Sequence, residues 1–359
     1  MRHIRAPPQF HLESVFMAAK KKRRRSADAP HNVRTIAQAA GLSPITVSRA
    51  FRNPGKLAPA TLALIMKVAE GVGFVPDQIA SSMRSSSSLV GTIVPPLINS
   101  GIAEQVQGMS DACQERNLQL LLIQGDFAVD AEERAIRTLL GWRPAGLVLQ
   151  AFVQSPRAVT LLRSNGLPVI EISEIAGREP IDIAVGVSNF DTAFSMTTRL
   201  AEIGYKRIAF VSTPIHGNDR LQQRRIGYRK ALESRRMPVA ERLEIEMPIT
   251  SAGGSEALNI LKLRDPTIDA VFFSSDVLAI GGVQECHRRG WRIPKDVAIA
   301  GYGDSELAAQ LFPRLTTVRV PRYQMGRKSI EVLARRIAGE AGLPKQVAMP
   351  FVIVERETT

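Results

Sequence analysis

From Asn32 onward the apolar residues first recur at helical spacing and later, from Leu89, gather in short β-branched runs. In the first stretch Val33, Ile36, Ala37 and Ala40 share one face of a short helix that Asn32 can cap and Gly41 can end. Ser43 is a good N-cap and Pro44 suits a first helical position, which predicts a second helix through Phe51, stopped by Asn53-Pro54-Gly55. A third helix is expected from Pro59 to about Gly71, with Leu62, Ile65, Met66 and Ala69 turned inward and Gly73-Phe74-Val75-Pro76 ending it. Two short helices three residues apart with a glycine turn form a helix-turn-helix pattern, although an ordinary αα-hairpin shares that spacing.

The second stretch carries strand-like runs at 90–94, 118–123, 146–149, 169–172, 207–212, 270–273 and 297–300, with helical sequence between them, and a last one at 347–354. That βαβα rhythm predicts an α/β fold with parallel sheets, and its length exceeds what one sheet needs, so two lobes are expected.

Charge sharpens this division. The 359 residues carry a net +13. Residues 1–90 hold 14 Lys and Arg against 4 Asp and Glu, a net of +10, which leaves only +3 for the remaining 269. A small basic unit attached to a large, nearly neutral one is the layout of a nucleic-acid reader with a second function. Residues 1–31 lack periodicity and contain the run Lys20-Lys21-Lys22-Arg23-Arg24-Arg25, so they are expected to form a disordered basic arm, either a solvated tail or a phosphate-binding one. Met17-Ala18-Ala19-Lys20 also reads as an ordinary start, which makes residues 1–16 a candidate over-extension.

Two cysteines, Cys113 and Cys286, exclude a disulfide scaffold and a multi-cysteine zinc site, and both are expected in the core. No run approaches the roughly 18 apolar residues of a membrane span, and no signal-peptide pattern opens the chain, so no membrane partner and a cytoplasmic location are expected.

The side chains of the second helix suit DNA. Val47 and Ala50 can face the core, leaving Pro44, Ile45, Arg49 and the hydroxyls of Ser43, Thr46 and Ser48 for groove and backbone. Arg49 is the best base reader, able to make a bidentate contact to a guanine edge, whereas the hydroxyls suit phosphates. Arg52 and Lys56 complete the basic candidates of this segment.

Residues 33–94 carry Ile36-Ala37-Gln38-Ala39-Ala40-Gly41-Leu42-Ser43, Thr46-Val47-Ser48-Arg49, Gly73-Phe74-Val75-Pro76 and Val90-Gly91-Thr92-Ile93-Val94-Pro95. In these motifs the chain resembles the lactose/purine/galactose-repressor (LacI) family of bacterial transcription regulators. The resemblance implies an all-α helix-turn-helix head over residues 32–76 and a hinge over 77–88. It further implies a two-lobed, periplasmic-binding-protein-like α/β domain over 89–359 that binds an effector and dimerises. It also implies that the hinge turns helical on operator DNA, with Ala80 at the family's usual alanine and Met83 where a leucine wedges into the minor groove. Met83 for leucine and Asp77 for asparagine are departures; in the free protein the segment reads as a Ser-rich linker. The family's three crossings between lobes would fall near 183–189, 303–313 and 318–321.

An enzyme reading finds no support: the common nucleotide, hydrolase and zinc signatures are absent, and His216 and His287 read as loop or surface-helix residues. No cofactor and no metal are expected. Ligands of open α/β sheets sit beyond the carboxyl ends of strands, which nominates Asn99, Ser100 and Ile102; Glu171 and Ser173; Asn218, Arg220 and Arg224; Ser275 and Asp276; and Gly303 and Asp304. Arg224, three residues before Gly227-Tyr228, stands where the family carries a ligand-contacting arginine. Ser275 and Gly303 replace the Asn or Asp that hold sugar hydroxyls in many relatives, while Arg220 and Arg224 suit a carboxylate or phosphate. Arg220 and Arg225 also read as solvated surface charges.

Within the family, the stretch Ile181-Asp182-Ile183-Ala184-Val185-Gly186-Val187-Ser188-Asn189-Phe190, Phe51-Arg52-Asn53-Pro54 and Pro321-Arg322 are similar to the gluconate-utilisation repressors. This implies a homodimer on pseudo-palindromic double-stranded operator DNA, released by gluconate or a related sugar acid. An activator or corepressor-dependent regulator of the same fold stays open, and a sugar-binding protein without DNA function is the rival from another class.

Overall fold

A computed structural model describes residues 33–52, 54–71, 87–95, 100–125, 129–150, 155–175 and 179–359. Contacts divide the chain into two compact units, one holding, among the described residues, three α-helices and the other everything from the first strand onward.

In the small unit, helices α1 (Val33–Ala40), α2 (Pro44–Arg52) and α3 (Pro59–Gly71) enclose one core of Ile36, Ala37, Val47, Ala50, Ile65 and Ala69. The apolar spacing places these residues on facing stripes, and the turn between α1 and α2 passes through Gly41 at φ +66°. Ser43 caps α2 as expected: its Oγ accepts from the Thr46 backbone N–H at 3.1 Å. Met66, expected to point inward, is half exposed. A three-helix head has room for only a narrow stripe on α3, and Ile65 and Ala69 fill it.

The large unit contains two six-stranded sheets. The first has the order β11-β5-β4-β3-β1-β2, from β1 (Leu89–Val94), β2 (Gln119–Gln124), β3 (Gly146–Gln150), β4 (Val169–Glu174), β5 (Ile183–Val187) and β11 (Gln346–Ala348). It is parallel throughout. The second has the order β12-β10-β9-β8-β6-β7, from β6 (Ile208–Ser212), β7 (Glu244–Glu246), β8 (Ala270–Phe273), β9 (Ala298–Gly303), β10 (Thr316–Arg319) and β12 (Val352–Val354). It is parallel except for its antiparallel edge strand β12.

Helices cover both faces, as buried parallel sheets require. The first lobe carries α4 (Ser100–Gln114), α5 (Val129–Gly141), α6 (Pro156–Asn165) and α12 (Arg322–Ile337). The second carries α7 (Asn189–Ile203), α8 (Asp219–Ser234), α9 (Ser251–Arg264), α10 (Asp276–Arg289) and the short α11 (Glu306–Gln310). One buried cluster runs without a break from Ile170 and Val185 in the first lobe, through Val187, Val318 and Val320, to Phe210 and Phe272 in the second. The lobes are therefore joined by shared core as well as by chain.

The chain passes between lobes three times, from β5 to α7, from β10 to α12 and from β11 to β12. The expected crossings at 183–189 and 318–321 are observed. The one expected at 303–313 is not, because β10 lies beside β9 in the same sheet, with Thr316 opposite Ala300. The third crossing falls instead at 349–351, where the apolar run 347–354 breaks into two short strands belonging to different sheets.

Close approach fixes one helix pair of the second lobe. A Cβ on Gly254 of α9 would collide with the Leu278 carbonyl oxygen, and one on Gly281 of α10 with that of Ser251. The seam is bonded as well as tight: Ser255 Oγ donates to the Gly281 carbonyl at 2.8 Å.

Cys113 and Cys286 are buried on α4 and α10. Burial pushes their thiols up to about 11 and about 12 respectively, away from the reactive thiolate. Neither is expected to react with an aromatic disulfide reagent at mildly alkaline pH until the protein is denatured; rapid labelling of the folded protein would contradict this packing. Among the described residues no helix is long and apolar enough to cross a membrane, and no cluster of His, Cys, Asp and Glu could hold a metal ion.

Candidate functional site

The small unit presents one face of α2 to solvent. Val47 and Ala50 are buried, while Ser43, Pro44, Ile45 and Arg49 are exposed and Thr46 and Ser48 half-buried. Ile45 and Arg49 are one helical turn apart and share a side. An isoleucine with 71% of its surface in water at a helix start suits the methyl edge of a thymine. The Ser43 hydroxyl is 2.8 Å from that of Thr46 and so helps fix it. Lys56, exposed, ends a one-turn 3-10 helix (Pro54–Lys56). Arg52 is the last residue of α2. Ala80 and Met83 of the hinge, Asn99 and the basic arm lie outside the described residues.

In the large unit both sheets share one strand order, with the first two strands reversed, so each has a switch point, between β1 and β3 and between β6 and β8. Crevices at such points, beyond the carboxyl ends of the strands, are where open α/β sheets bind ligands. A cavity of about 500 Å³ lies there. It is lined by Ile102 after β1, by His216, Asn218, Arg220 and Arg224 after β6, by Ser274 to Val277 after β8, by Tyr302 and Gly303 at the end of β9 and Asp304 to Glu306 after it, and by Arg322. Ile102, Arg220, Arg224, Ser275, Asp276, Gly303 and Asp304 are thus brought together as expected. His216, which reads from sequence as a loop or surface-helix residue, belongs to the wall. Ser100 opens α4, beside lining residue Gly101.

Arg224 is the centre of a buried network. Its Nε donates to Asn189 Oδ1 at 2.8 Å, its Nη1 donates to the Ser274 carbonyl at 2.9 Å, and its guanidinium lies 3.5 Å from the centroid of the Tyr302 ring. Asn189 opens α7 directly after the first crossing. It accepts a second bond from the Tyr302 hydroxyl at 3.0 Å and donates Nδ2 to the Ser173 carbonyl of the first lobe at 3.0 Å. One amide therefore ties β4 to the arginine and tyrosine of the other lobe. Burial pushes the Arg224 guanidinium down to about 10, with the cations of Arg220 and Arg322 adding to the effect, yet it stays protonated at neutral pH. Burial likewise lowers Arg220, whose Nη1 reaches Gln150 Oε1 at 3.5 Å.

The acidic candidates have structural partners. Glu171 accepts from the Ile181 backbone N–H at 2.6 Å, within the first lobe and away from the cavity wall. Asp304 pairs with Arg319 at 2.5 Å and Arg356 at 2.6 Å. Asp276 accepts from Thr317 Oγ1 at 2.6 Å and the Ser305 N–H at 2.7 Å, and burial pushes its carboxyl above the usual carboxylate range. Ser275 caps α10 by accepting from the Val277 N–H. Ser173, at φ +91°, places its hydroxyl between the side-chain oxygens of Gln105 and Gln150, at 3.3 and 3.2 Å. Arg225, by contrast with Arg220, makes a surface ion pair with Glu244 at 2.5 Å.

Among the described residues, no carboxylate pairs with Arg224 or Arg322. Gln105 Nε2, Gln150 Nε2 and Ser274 Oγ are buried near them without a hydrogen-bond partner. A cavity whose guanidinium groups have no ion-pair partner, with the Ser274 hydroxyl spare in its wall, suits an anion that also carries hydroxyl groups. Sequence reasoning missed Asn189, Tyr302 and Arg322. Tyr302 reads as strand core and Arg322 as the start of a surface helix; only the order of the strands brings them to Arg224.

Residues 32–77 match a family model described as bacterial regulatory proteins, lacI family, and residues 197–359 a periplasmic binding protein-like domain. The HTH-type transcriptional regulator GntR of Escherichia coli (strain K12) is 29% identical over 321 residues, covering 89% of this chain and 95% of that protein. The crystal structure of a Lacl family transcriptional regulator from Silicibacter pomeroyi superposes with a TM-score of 0.85 at 29% identity, over 92% of this chain and 99% of that one. A PurR family transcriptional regulator from Vibrio parahaemolyticus is 30% identical with a TM-score of 0.69, over 75% of this chain and 98% of that one. With the recognition helix, the twin switch-point cavity and these likenesses in agreement, the chain belongs to the LacI family and is a DNA-binding transcriptional regulator, not an enzyme.

Proposed function

We propose that the protein is a repressor that binds a two-fold operator as a homodimer and is released from it by a small anionic effector of the sugar-acid class, with gluconate as the first candidate. The observation that carries the effector reading is the buried Arg224, held by Asn189, Ser274 and Tyr302 in a cavity where no described carboxylate forms an ion pair with it. The similarity of residues 181–190 to gluconate-utilisation repressors supports the same class. The recognition surface is the exposed face of α2, where Arg49 reads a guanine edge and Ser43, Thr46 and Ser48 position the helix on phosphates. For release, the effector need only bind the form that does not hold DNA more tightly; a tenfold preference is worth about 1.4 kcal/mol per site.

Fluorescence anisotropy of the full chain on DNA from upstream of its own gene, across a salt series with and without gluconate, tests this reading. Specific binding released by gluconate is expected. Binding that gluconate strengthens would make the protein corepressor-dependent, and binding it leaves unchanged would discard gluconate while keeping the DNA reader. In the same assay Arg49→Ala is expected to cost roughly 1–3 kcal/mol of specific binding. An equal loss on random DNA would assign Arg49 to phosphate contacts instead.

A further inference from the structure

We propose that Arg322 is a second anion-binding residue of the effector cavity, supplied by the first lobe, which grips the carboxylate or phosphate of the effector together with Arg224. This rests on the anionic-effector reading above and specifies how the site reads its ligand.

Arg322 is the first residue of α12, the helix that begins immediately after the chain returns to the first lobe. It lines the cavity. Its neighbours on the same segment are neutralised: Arg319 pairs with Asp304 at 2.5 Å, and Arg327 with Glu115 at 2.7 Å. Arg322 has no such partner among the described residues. The carboxylate facing it, Asp276, is already bonded to Thr317 and Ser305, and its burial favours the neutral form. Arg322 and Arg224 lie over the same tyrosine ring, with guanidinium carbons 6.0 and 3.5 Å from the Tyr302 centroid. Two like charges beside one aromatic face repel one another unless an anion joins them.

The space for Arg322 is built by glycines. A Cβ on Gly101, in the first turn of α4, would stand 2.5 Å from Arg322 Nε and 2.8 Å from its Cδ and Cζ. A Cβ on Gly303 would stand 3.6 Å from Nη2. The side chain is thus laid against bare backbone at both positions, one from each lobe. An effector anion held by Arg322 pulls on the crossing that precedes α12, while Arg224 holds the same group from α8, so anion binding acts directly on the spacing of the lobes.

Calorimetric titration of the full chain with gluconate, 6-phosphogluconate and inorganic phosphate tests the assignment, with melting temperature as the check on folding. Arg322→Gln is expected to weaken the anion that the parent binds by about ten- to hundredfold and to flatten its salt dependence. Arg322→Lys keeps the charge and is expected to retain the salt dependence with intermediate affinity. Gly101→Ala, which leaves the arginine in place but pushes it aside, is expected to weaken binding as well and serves if Arg322→Gln fails to fold. Binding of gluconate but not of inorganic phosphate assigns the site to a carboxylate; binding of inorganic phosphate, or of 6-phosphogluconate where gluconate fails, assigns it to a phosphoryl group. Affinity within twofold of the parent in both Arg322→Gln and Gly101→Ala overturns the Arg322 assignment alone. Failure of the parent to bind any of the three anions overturns both this assignment and the anionic-effector reading.

Discussion

Arg224→Met is expected to abolish effector response while leaving the protein about as stable as the parent. The guanidinium makes two hydrogen bonds and stacks on Tyr302. The remaining guanidinium N–H groups are free for the anion; two charge-assisted hydrogen bonds to it would be worth about 1.5–3 kcal/mol each, so loss of the arginine is expected to weaken an anionic effector by roughly a hundredfold or more. Stability moves little, because losing the bonds to Asn189 and the Ser274 carbonyl is offset by removing a buried charge. Burial drives the guanidinium down to about 10, so below that pH the folded chain carries a charge it would rather leave in water. That cost is of order 3 kcal/mol at neutral pH and is relieved only as pH rises past about 10. Methionine fills similar volume without the charge. Calorimetric titration and a melting curve on the same sample separate the two effects. A protein that loses effector binding and stability together would make Arg224 a structural residue. Asn189→Ala should reproduce part of the binding loss, and the double variant should lose less than the sum, because both changes break one network.

Gly281→Ala is expected to give one of the two largest stability losses of any single methyl added to the second lobe, together with Gly254→Ala. The new carbon would stand far inside van der Waals contact of the Ser251 carbonyl oxygen across the α9–α10 seam, and on the other side a Cβ on Gly254 would meet the Leu278 carbonyl oxygen at the same distance. Neither obstruction is a side chain that can rotate aside, so the helices must separate and loosen Leu258, Leu278 and Val283. Overpacking costs typically 1–3 kcal/mol, and this change belongs at or above the upper end. Urea denaturation reads it as a lower midpoint at unchanged slope. Gly141→Ala is the control: it ends α5, no atom lies within 4 Å of its Cβ position, and its stability should match the parent or rise by about 0.5 kcal/mol. Equal midpoints for the two variants would refute the close-packed seam.

What could be read from residues alone follows from how local each feature is. The head was legible almost to the residue, because caps, glycine turn and stripe lie within 40 positions and each is a nearest-neighbour property. Met66 escaped because a stripe's width depends on what stands opposite. The β-branched runs located seven strands, but the crossings depend on which sheet a strand joins, and no periodicity encodes that. Residues 303–313 therefore read as a passage between lobes, and 347–354 as one strand instead of two. The same limit governs the site. The strand rule nominated the loops after β1, β6, β8 and β9, which do share one cavity wall, yet Tyr302 and Arg322 reach Arg224 only through the folding of distant segments. Glu171 shows the converse: it sits on a nominated strand, but the alternation of the strand turns its carboxylate to the Ile181 amide.

The late passage at 349–351 bears on how the molecule is made. The three-helix head closes its core from contiguous residues and can fold as soon as it leaves the ribosome. The lobes cannot. The first sheet waits for α12 and β11, and the second for β12 and for the Thr358 carbonyl that accepts from the Ile299 N–H at 2.9 Å. Until those last segments emerge, apolar surface on both lobes, including the ground beneath Met325 and Ile330, stays open to water and to other nascent chains. Synthesis thus yields a finished DNA-reading module well before a finished sensor. Premature termination before β12 would release a head that can still find DNA, attached to lobes that cannot close.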